Sequence, residues 1–115
     1  MSVIVVRDRE NDWQEVADTW PGKAKAGEPK LTFKRLLARG PELPNLHRTR
    51  YEPDHFEPPH SHAEDEVIYV LAGTIHFGDQ DLGFGDAIYV PRDTRYSLRA
   101  GAEGAEFVRV GLPSA

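Results

Sequence analysis

The chain of 115 residues contains no cysteine. A chain without thiols cannot form disulfides, cannot hold zinc or an iron–sulfur cluster through thiolates, and cannot use a cysteine nucleophile. Any bound metal must therefore be held by nitrogen and oxygen atoms.

Long apolar runs and dense basic stripes are also missing. No stretch approaches the roughly 20 apolar residues of a membrane span, and the N-terminal segment MSVIVVRDREN is too short in apolar residues for a signal peptide. Nineteen acidic against 14 basic residues give a net charge of −5, and the bases are scattered. These features predict a cytoplasmic protein that binds neither membranes nor nucleic acid.

Nucleotide-binding and hydrolase motifs are absent as well. The sequence has no GxGxxG or GxxxxGK[ST] loop to hold phosphates and no GxSxG elbow for a serine nucleophile. With 39% hydrophobic and 29% charged residues, a chain of this length fits one globular domain with its own core.

The composition changes near residue 31. Before it, Trp13, Val16 and Trp20 recur at helical spacing, but prolines and glycines between residues 21 and 29 end any continuation. We predict that residues 1–30 form an irregular arm whose tryptophans plug one edge of the core. Residues 31–115 then form the β-barrel domain.

From Leu31 onward, short apolar or alternating runs are separated by glycine, proline and aspartate. They predict strands at residues 31–37, 47–51, 67–71, 74–77, 86–90, 95–98 and 107–110, with turns at 72–73, 78–80 and 83–86. Seven or eight strands at this spacing indicate an antiparallel sandwich or small barrel. The run 67–71 alternates imperfectly, so we expect a second sheet or a partner subunit to cover its outer face.

Three of the five histidines lie between residues 54 and 63. His60 and His62 are two apart, so both imidazoles project to the same side of an extended backbone, and Glu66 follows at the start of a strand. Two imidazoles and one carboxylate suit Fe(II), Mn(II), Ni(II) or Zn(II) and leave positions open for water, substrate or oxygen. Pro58 and Pro59 stiffen the approach and disfavour a central strand there. A solvated polar loop is the alternative, but it leaves the spacing unexplained.

These residues also carry a family resemblance. His60-x-His62-x3-Glu66-x6-Gly73 and Gly85-x5-Pro91 resemble the two signatures of the cupin superfamily, across about residues 54–100. The resemblance implies an all-β, antiparallel jelly-roll barrel, a divalent metal at its centre in many members, and frequent dimers. We therefore expect one divalent transition metal per chain and a homodimer.

The first signature departs from the family pattern at one position and the second at three. Asp54 and Asp93 stand where turn glycines are usual, Ala100 replaces the closing asparagine, and Tyr96 replaces the histidine that is the usual fourth ligand. Tyr96 could bind the metal as a phenolate, hydrogen-bond a metal-bound water, or simply pack. His76 could substitute from the neighbouring strand, although its position favours a solvent-facing side chain.

The other charged side chains near the motif are expected to be structural. Strand parity places Asp65 opposite Glu66, so we expect Glu64 and Asp65 to be solvent charges. His47 and His55 are isolated in the sequence and are expected at the surface.

The resemblance favours an enzyme that acts on a small carbonyl-bearing or enolisable molecule, with Tyr96 as a catalytic residue. A dioxygenase is the first interpretation, because three protein ligands leave room for a bidentate substrate and oxygen. An isomerase, lyase or cyclase would use the same metal as a Lewis acid only, and a non-catalytic module that binds a small ligand is the further alternative.

Overall fold

The computed structural model of the chain describes residues 3–15, 31–37 and 43–112. Within these ranges, regular structure consists of one short 3-10 helix, Asp8–Glu10, and strands. The strands are β1 (Gln14–Glu15), β2 (Leu31–Leu37), β3 (Asn45–Tyr51), β4 (Phe56–His60), β5 (Asp65–Phe77), β6 (Gln80–Leu82), β7 (Ala87–Val90) and β8 (Tyr96–Leu112). No helix of the described ranges has the length and apolar character to cross a membrane.

Every strand pairing is antiparallel, in the order β1-β2-β3-β8-β5-β6. The two long strands carry additional partners: β4 pairs with the start of β8, and β7 pairs with the start of β5. Because β5 and β8 each pair with several shorter strands along their length, the sheet closes into an antiparallel jelly-roll barrel. The predicted all-β fold class is confirmed.

The predicted turn at residues 72–73 is wrong, because β5 continues through it. The strand bends there at two register shifts, between Val70 and Ala72 and between Gly73 and Ile75. Gly73 has φ 69°, and a Cβ at this position would lie 2.1 Å from the carbonyl oxygen of Gly104 on β8. Glycine is therefore required for the close crossing of two strands.

Two other strand predictions need correction. The runs 95–98 and 107–110 belong to one strand, β8. Strand β4 was not among the predicted strands, yet it pairs with β8, with Phe56 opposite Arg99 and His60 opposite Tyr96. Its described pairing is with β8 alone, in agreement with the expectation that Pro58 and Pro59 keep it from being a central strand. The register shifts between Glu57 and His60, where two prolines offer no N–H to the ladder.

The core lies between β5 and β8. Ile68, Val70 and Ile75 of β5 are at most 1% exposed, and Leu98 and Phe107 of β8 pack in the same cluster. Burial of each such side chain contributes about 1.5–3 kcal/mol. Strand alternation places two charged residues on this apolar face, Glu66 ahead of Ile68 and Arg109 after Phe107.

The described part of the N-terminal arm, residues 3–15, packs on the outside of the sheet. β1 pairs with β2, and the half-buried Trp13 ring lies near three cations of β2 and β3. The ring centroid is 5.1 Å from Lys34 Nζ, 5.4 Å from Arg48 Cζ and 3.9 Å from Arg50 Cζ. The Trp13 ring thus lies against the charged groups of three side chains. Val16 and Trp20, the other two residues of the predicted helical pattern, lie outside the described residues.

Candidate active site

His60 and His62 lie side by side where β4 leads into β5. Their ring centroids are 4.9 Å apart. His60 Nδ1–H donates to the Pro58 carbonyl oxygen at 2.7 Å. Because a carbonyl can only accept, this bond places a proton on Nδ1 and makes Nε2 the ring nitrogen that could bind a metal. Burial, followed by the charge of Arg109, lowers the pKa of His62, so that this imidazole is neutral at pH 7.

Glu66 is the buried acid of the site. It begins the inward-facing series of β5, and its side chain is 1% exposed. The Tyr96 hydroxyl donates to Oε1, and Arg109 Nε–H donates to Oε2. The two donors compensate a carboxylate that would be costly to bury alone.

Tyr96 is the first residue of β8 and lies opposite His60 of β4. Its ring centroid is 4.6 Å from that of His60 and 6.3 Å from that of His62. Burial, together with the hydrogen bond to Glu66, raises the pKa of Tyr96 well above its ordinary value. Without a metal ion the phenol therefore keeps its proton at pH 7.

His76, the other alternative ligand, points elsewhere. Its Nδ1 lies 2.5 Å from Asp81 Oδ1, and its side chain is 37% exposed. The solvent-facing position favoured by the strand pattern matches this arrangement.

Sequence reasoning missed Arg109. The register of β8 puts it between His47 of β3 and Ile68 of β5. Its Nη2 lies 3.5 Å from Glu64 Oε1, and no hydrogen-bond partner for this buried atom is found in the part of the chain that the structure describes. The sequence does carry a signal for the inward position of Arg109. It is two residues after the core residue Phe107, so both side chains point to the same face of the strand.

Glu64 was expected to be a solvent charge, but it is buried. It is 6% exposed and lies against Gly111 of β8, where a Cβ would come within 2.8 Å of its Oε1. Glycine at that position makes room for the carboxylate. Asp65 behaves as predicted: it faces away from Glu66 and pairs with Arg92, with 3.2 Å between Oδ2 and Nη2.

His47 and His55 were expected at the surface, and both predictions are wrong. His47 is half-buried, and Arg35 Nε–H donates to its Nε2 at 3.2 Å. Burial first, then Arg35, Arg109 and His62, lowers the pKa of His47 to about 4. The His55 ring stacks at 4.6 Å on Tyr51, and its side chain is 12% exposed. Neither sequence neighbourhood signals this burial, because strand pairing with distant residues causes it.

Asp54 and Asp93, which replace turn glycines of the resemblance, both have φ 61°. Aspartate is one of the few residues besides glycine that visit this left-handed region. The Asp93 N–H donates to the carbonyl oxygen of His62 at 2.7 Å, and the Arg92 N–H donates to Asp65 Oδ1 at 2.8 Å. These bonds fix the loop before Tyr96 against the residues that flank Glu66.

The donor atoms of the site are of the types that bind a divalent cation. Two adjacent imidazoles and two buried carboxylates are ligands that first-row transition metals accept. Within residues 3–15, 31–37 and 43–112, however, no group of three His, Asp or Glu side chains is arranged to hold a metal. Both oxygens of Glu66 are bonded, and a guanidinium stands beside the carboxylate that a metal would use.

The protein is an antiparallel jelly-roll with two adjacent histidines just before strand β5, and these features define its class. The chain belongs to the cupin family, whose domain matches residues 47–111. No curated protein matches the chain significantly.

Solved structures share this fold over nearly the whole chain. KdgF from a Halomonas species is 22% identical with a TM-score of 0.76, covering 99% of this chain and 96% of its own. An RmlC-like cupin from Shewanella frigidimarina is 16% identical, with a TM-score of 0.74 and coverages of 98% and 93%. The polyketide cyclase RemF from Streptomyces resistomycificus is 22% identical, with a TM-score of 0.70 and coverages of 98% and 81%. At these identities the likeness shows the fold alone.

Proposed function

We propose that the protein is a metal-dependent enzyme that moves a proton on a small carbonyl-bearing or enolisable molecule, as an isomerase, lyase or cyclase does. The observation that carries the proposal is the Tyr96 phenol: it is buried, its hydroxyl donates to Glu66, and its ring lies beside His60 and His62. A buried donor that stays protonated at neutral pH is suited to an oxygen that gains negative charge during the reaction.

His60, His62 and Glu66 would hold one divalent transition metal, of the Fe, Mn, Ni or Zn type. When bound, the metal would polarise a substrate oxygen as a Lewis acid. The neutral state of His62 and the proton position on His60 support this role, because metal ligation requires an unprotonated imidazole nitrogen.

Tyr96 has a separate task in this proposal. Its hydroxyl donates to Glu66 in the substrate-free protein, and a substrate oxygen replaces Glu66 as the acceptor. Because the phenol pKa is raised, the proton stays on Tyr96 until the substrate oxygen becomes strongly basic. The Phe77 ring, 6.1 Å from the Tyr96 ring, covers one side of the phenol and limits access of water.

The dioxygenase interpretation stays a prediction. Its basis is the set of open positions on a three-ligand metal, and the positions of Tyr96 and Arg109 do not bear on oxygen. The cyclase class has one further support: RemF, a polyketide cyclase, has the same fold.

One experiment separates these functions. Metal-loaded protein is offered diketones, hydroxy-acids and catechols in D2O, and carbon-bound deuterium is followed by NMR while an electrode follows oxygen. We expect deuterium incorporation or rearrangement of one substrate class without oxygen uptake, and loss of this activity in Tyr96→Phe. Oxygen uptake that matches substrate loss would instead establish the dioxygenase. Saturable binding without any turnover would establish a binding module.

A further inference from the structure

We infer that Tyr51 is a second hydrogen-bond donor to the substrate, and that the substrate carries two oxygen atoms, as a hydroxy-ketone or a diketone does. The inference rests on the proposed function, in which the Tyr96 hydroxyl donates to one substrate oxygen. It adds a binding residue on strand β3 and a requirement that the substrate must meet.

The ring of Tyr51 is held by packing. Tyr51 is the last residue of β3 and belongs to the core, where it is 8% exposed. Its ring centroid lies 4.6 Å from that of His55 and 5.0 Å from that of Phe107. A phenylalanine at residue 51 would make both ring contacts equally well. Packing therefore accounts for the ring of Tyr51 but not for its hydroxyl.

The Tyr51 hydroxyl has no hydrogen-bond partner among the residues that the structure describes. It also differs from the unpartnered polar atoms that are closed off from solvent, which are Asp8 Oδ1, Asn45 Oδ1, Arg48 Nε and Arg109 Nη2. The hydroxyl therefore reaches space that solvent can enter. Because a tyrosine O–H in a protein interior normally finds an acceptor, an oxygen of a bound molecule is the partner that this donor lacks.

The charged groups of the candidate site act on this hydroxyl. Burial first, and then the charge of Glu57, raise the pKa of Tyr51 well above its ordinary value. Tyr96 and Glu66 raise this pKa further, whereas Arg109 lowers it. Because such effects weaken with distance, the Tyr51 hydroxyl shares the interior of the barrel with the residues of the site. The raised pKa also keeps the proton on the phenol, as a hydrogen-bond donor requires.

The two phenols lie at different positions in that interior. Tyr51 ends β3 and Tyr96 begins β8, and within the described ranges the aromatic contacts of the two rings have no residue in common. A substrate oxygen at the Tyr96 hydroxyl thus leaves the Tyr51 hydroxyl to a second acceptor. A ligand with one oxygen leaves that donor unpaired, and an unpaired donor in a binding site costs affinity.

The test compares ligand affinities in wild type, Tyr51→Phe and the control Tyr69→Phe, whose side chain is 42% exposed. Hydroxyacetone and diacetone alcohol are each titrated against their one-oxygen counterparts, acetone and methyl isobutyl ketone, by ligand-detected NMR. In wild type, at least one hydroxy-ketone should bind about tenfold more tightly than its counterpart. Tyr51→Phe should abolish this preference without weakening the binding of the one-oxygen ketone. Tyr69→Phe should match wild type.

Other binding results overturn the inference in distinguishable ways. Equal affinities within both pairs in wild type would refute the requirement for two oxygens. A preference that survives in Tyr51→Phe would remove Tyr51 from the binding site. In both cases the proposed function stands. If none of the four compounds binds to wild type, the inference and the proposed substrate class fail together.

Thermal unfolding gives a second readout that needs no ligand. Because the Tyr51 hydroxyl has no partner to lose, Tyr51→Phe should melt no more than about 2 °C below wild type. Tyr96→Phe loses the hydrogen bond to Glu66 and should melt about 4 °C lower. An equal drop in Tyr51→Phe would show that its hydroxyl has a structural role, and this result would also overturn the inference.

Discussion

Two clusters of charge lie on opposite faces of the sheet and share strand β8. The outer cluster consists of Asp8, Lys34, Arg48, Arg50 and Glu106. In it each acid meets two cations: Asp8 lies 3.1 Å from Lys34 and 3.0 Å from Arg48, and Glu106 lies 2.9 Å from Arg48 and 2.6 Å from Arg50. The inner cluster, Glu64, Glu66, Tyr96 and Arg109, places two acids around one cation.

The difference separates a structural role from a functional one. The outer cluster joins the N-terminal segment to β2, β3 and β8, and each of its acids contacts two cations. The inner cluster is more deeply buried, and Arg109 contacts both of its acids. We propose that ionisable groups held this deeply in the core mark the functional site.

The largest expected effect is on stability and comes from removal of the inner cation. In the presence of a chelator, Arg109→Gln should lower the free energy of unfolding by about 3 kcal/mol, because two buried carboxylates lose an ion-pair contact. The matched outer variant, Arg48→Gln, should lose about 1 kcal/mol, since its side chain is 28% exposed and water screens its ion pairs. Urea unfolding measures both values. Equal losses would erase the distinction between the clusters.

Tyr96→Phe should affect turnover more than folding. Loss of an oriented donor lowers the rate about tenfold to a thousandfold, while metal content stays unchanged. Tyr96→His restores the usual fourth ligand of the family and should tighten metal binding. Tyr89→Phe is the control, because this tyrosine is 60% exposed. Unchanged rates in Tyr96→Phe together with unchanged metal affinity in Tyr96→His would place Tyr96 outside the chemistry.

The two clusters should also respond to acid in different pH windows. The pKa of His47 falls from 6.5 to about 4 on folding, so between these values the unfolded chain binds more protons. Stability near the inner cluster is therefore lost as pH drops from about 6.5 to 4.

In the outer cluster folding also lowers a pKa, but from a more acid starting value. Burial alone would raise the pKa of Glu106, but hydrogen bonds from Arg50 and Arg48 lower it below 4.5, so its contribution is lost only at more acid pH. Thermal unfolding across pH should show both phases. His47→Gln should reduce the first phase and Glu106→Gln should reduce the second, whereas a first phase unchanged in His47→Gln would contradict the assignment.

The smallest expected change concerns association. The outer face of β5 and β7 carries Val67, Tyr69 and Tyr89, and the two tyrosines are 42% and 60% exposed. We propose that this face contributes to a homodimer, which would cover the apolar side chains that the strand pattern left without a partner. Light scattering should report twice the mass of one chain, and Tyr89→Ser should weaken association without loss of metal. A mass of one chain at micromolar concentration would refute the dimer.

The fold was predictable because its signals are local. Alternation located most strands, and the spacing of His60, His62 and Glu66 located the site. The two long strands were not recognised, because Gly73 and Gly104 look like turn residues when the strand that crosses them is unknown. Their role depends on a contact between positions 31 residues apart, with φ of 69° and 80°.

Only two of the four residues of the inner cluster could be predicted from the sequence, for a related reason. Glu66 and Tyr96 belong to motifs, whereas Arg109 and Glu64 enter through the pairing of β5 with β8. The burial of Glu64 depends on Gly111, a glycine that no turn requires. Arg109 is two residues after the core residue Phe107, so both side chains point to the same face of β8. A charged residue at such a position is the sequence signal that would have located Arg109.

The most direct test of the account is metal content. Protein purified without chelator, or reloaded with Fe(II), Mn(II), Ni(II) or Zn(II), should bind close to one ion per chain by elemental analysis. His60→Ala and Glu66→Ala should lose the ion, and His76→Ala should keep it, because His76 lies against Asp81 on the exposed edge. A wild-type protein that retains none of the four metals would contradict the claim that the inner cluster and its two histidines form a cation site.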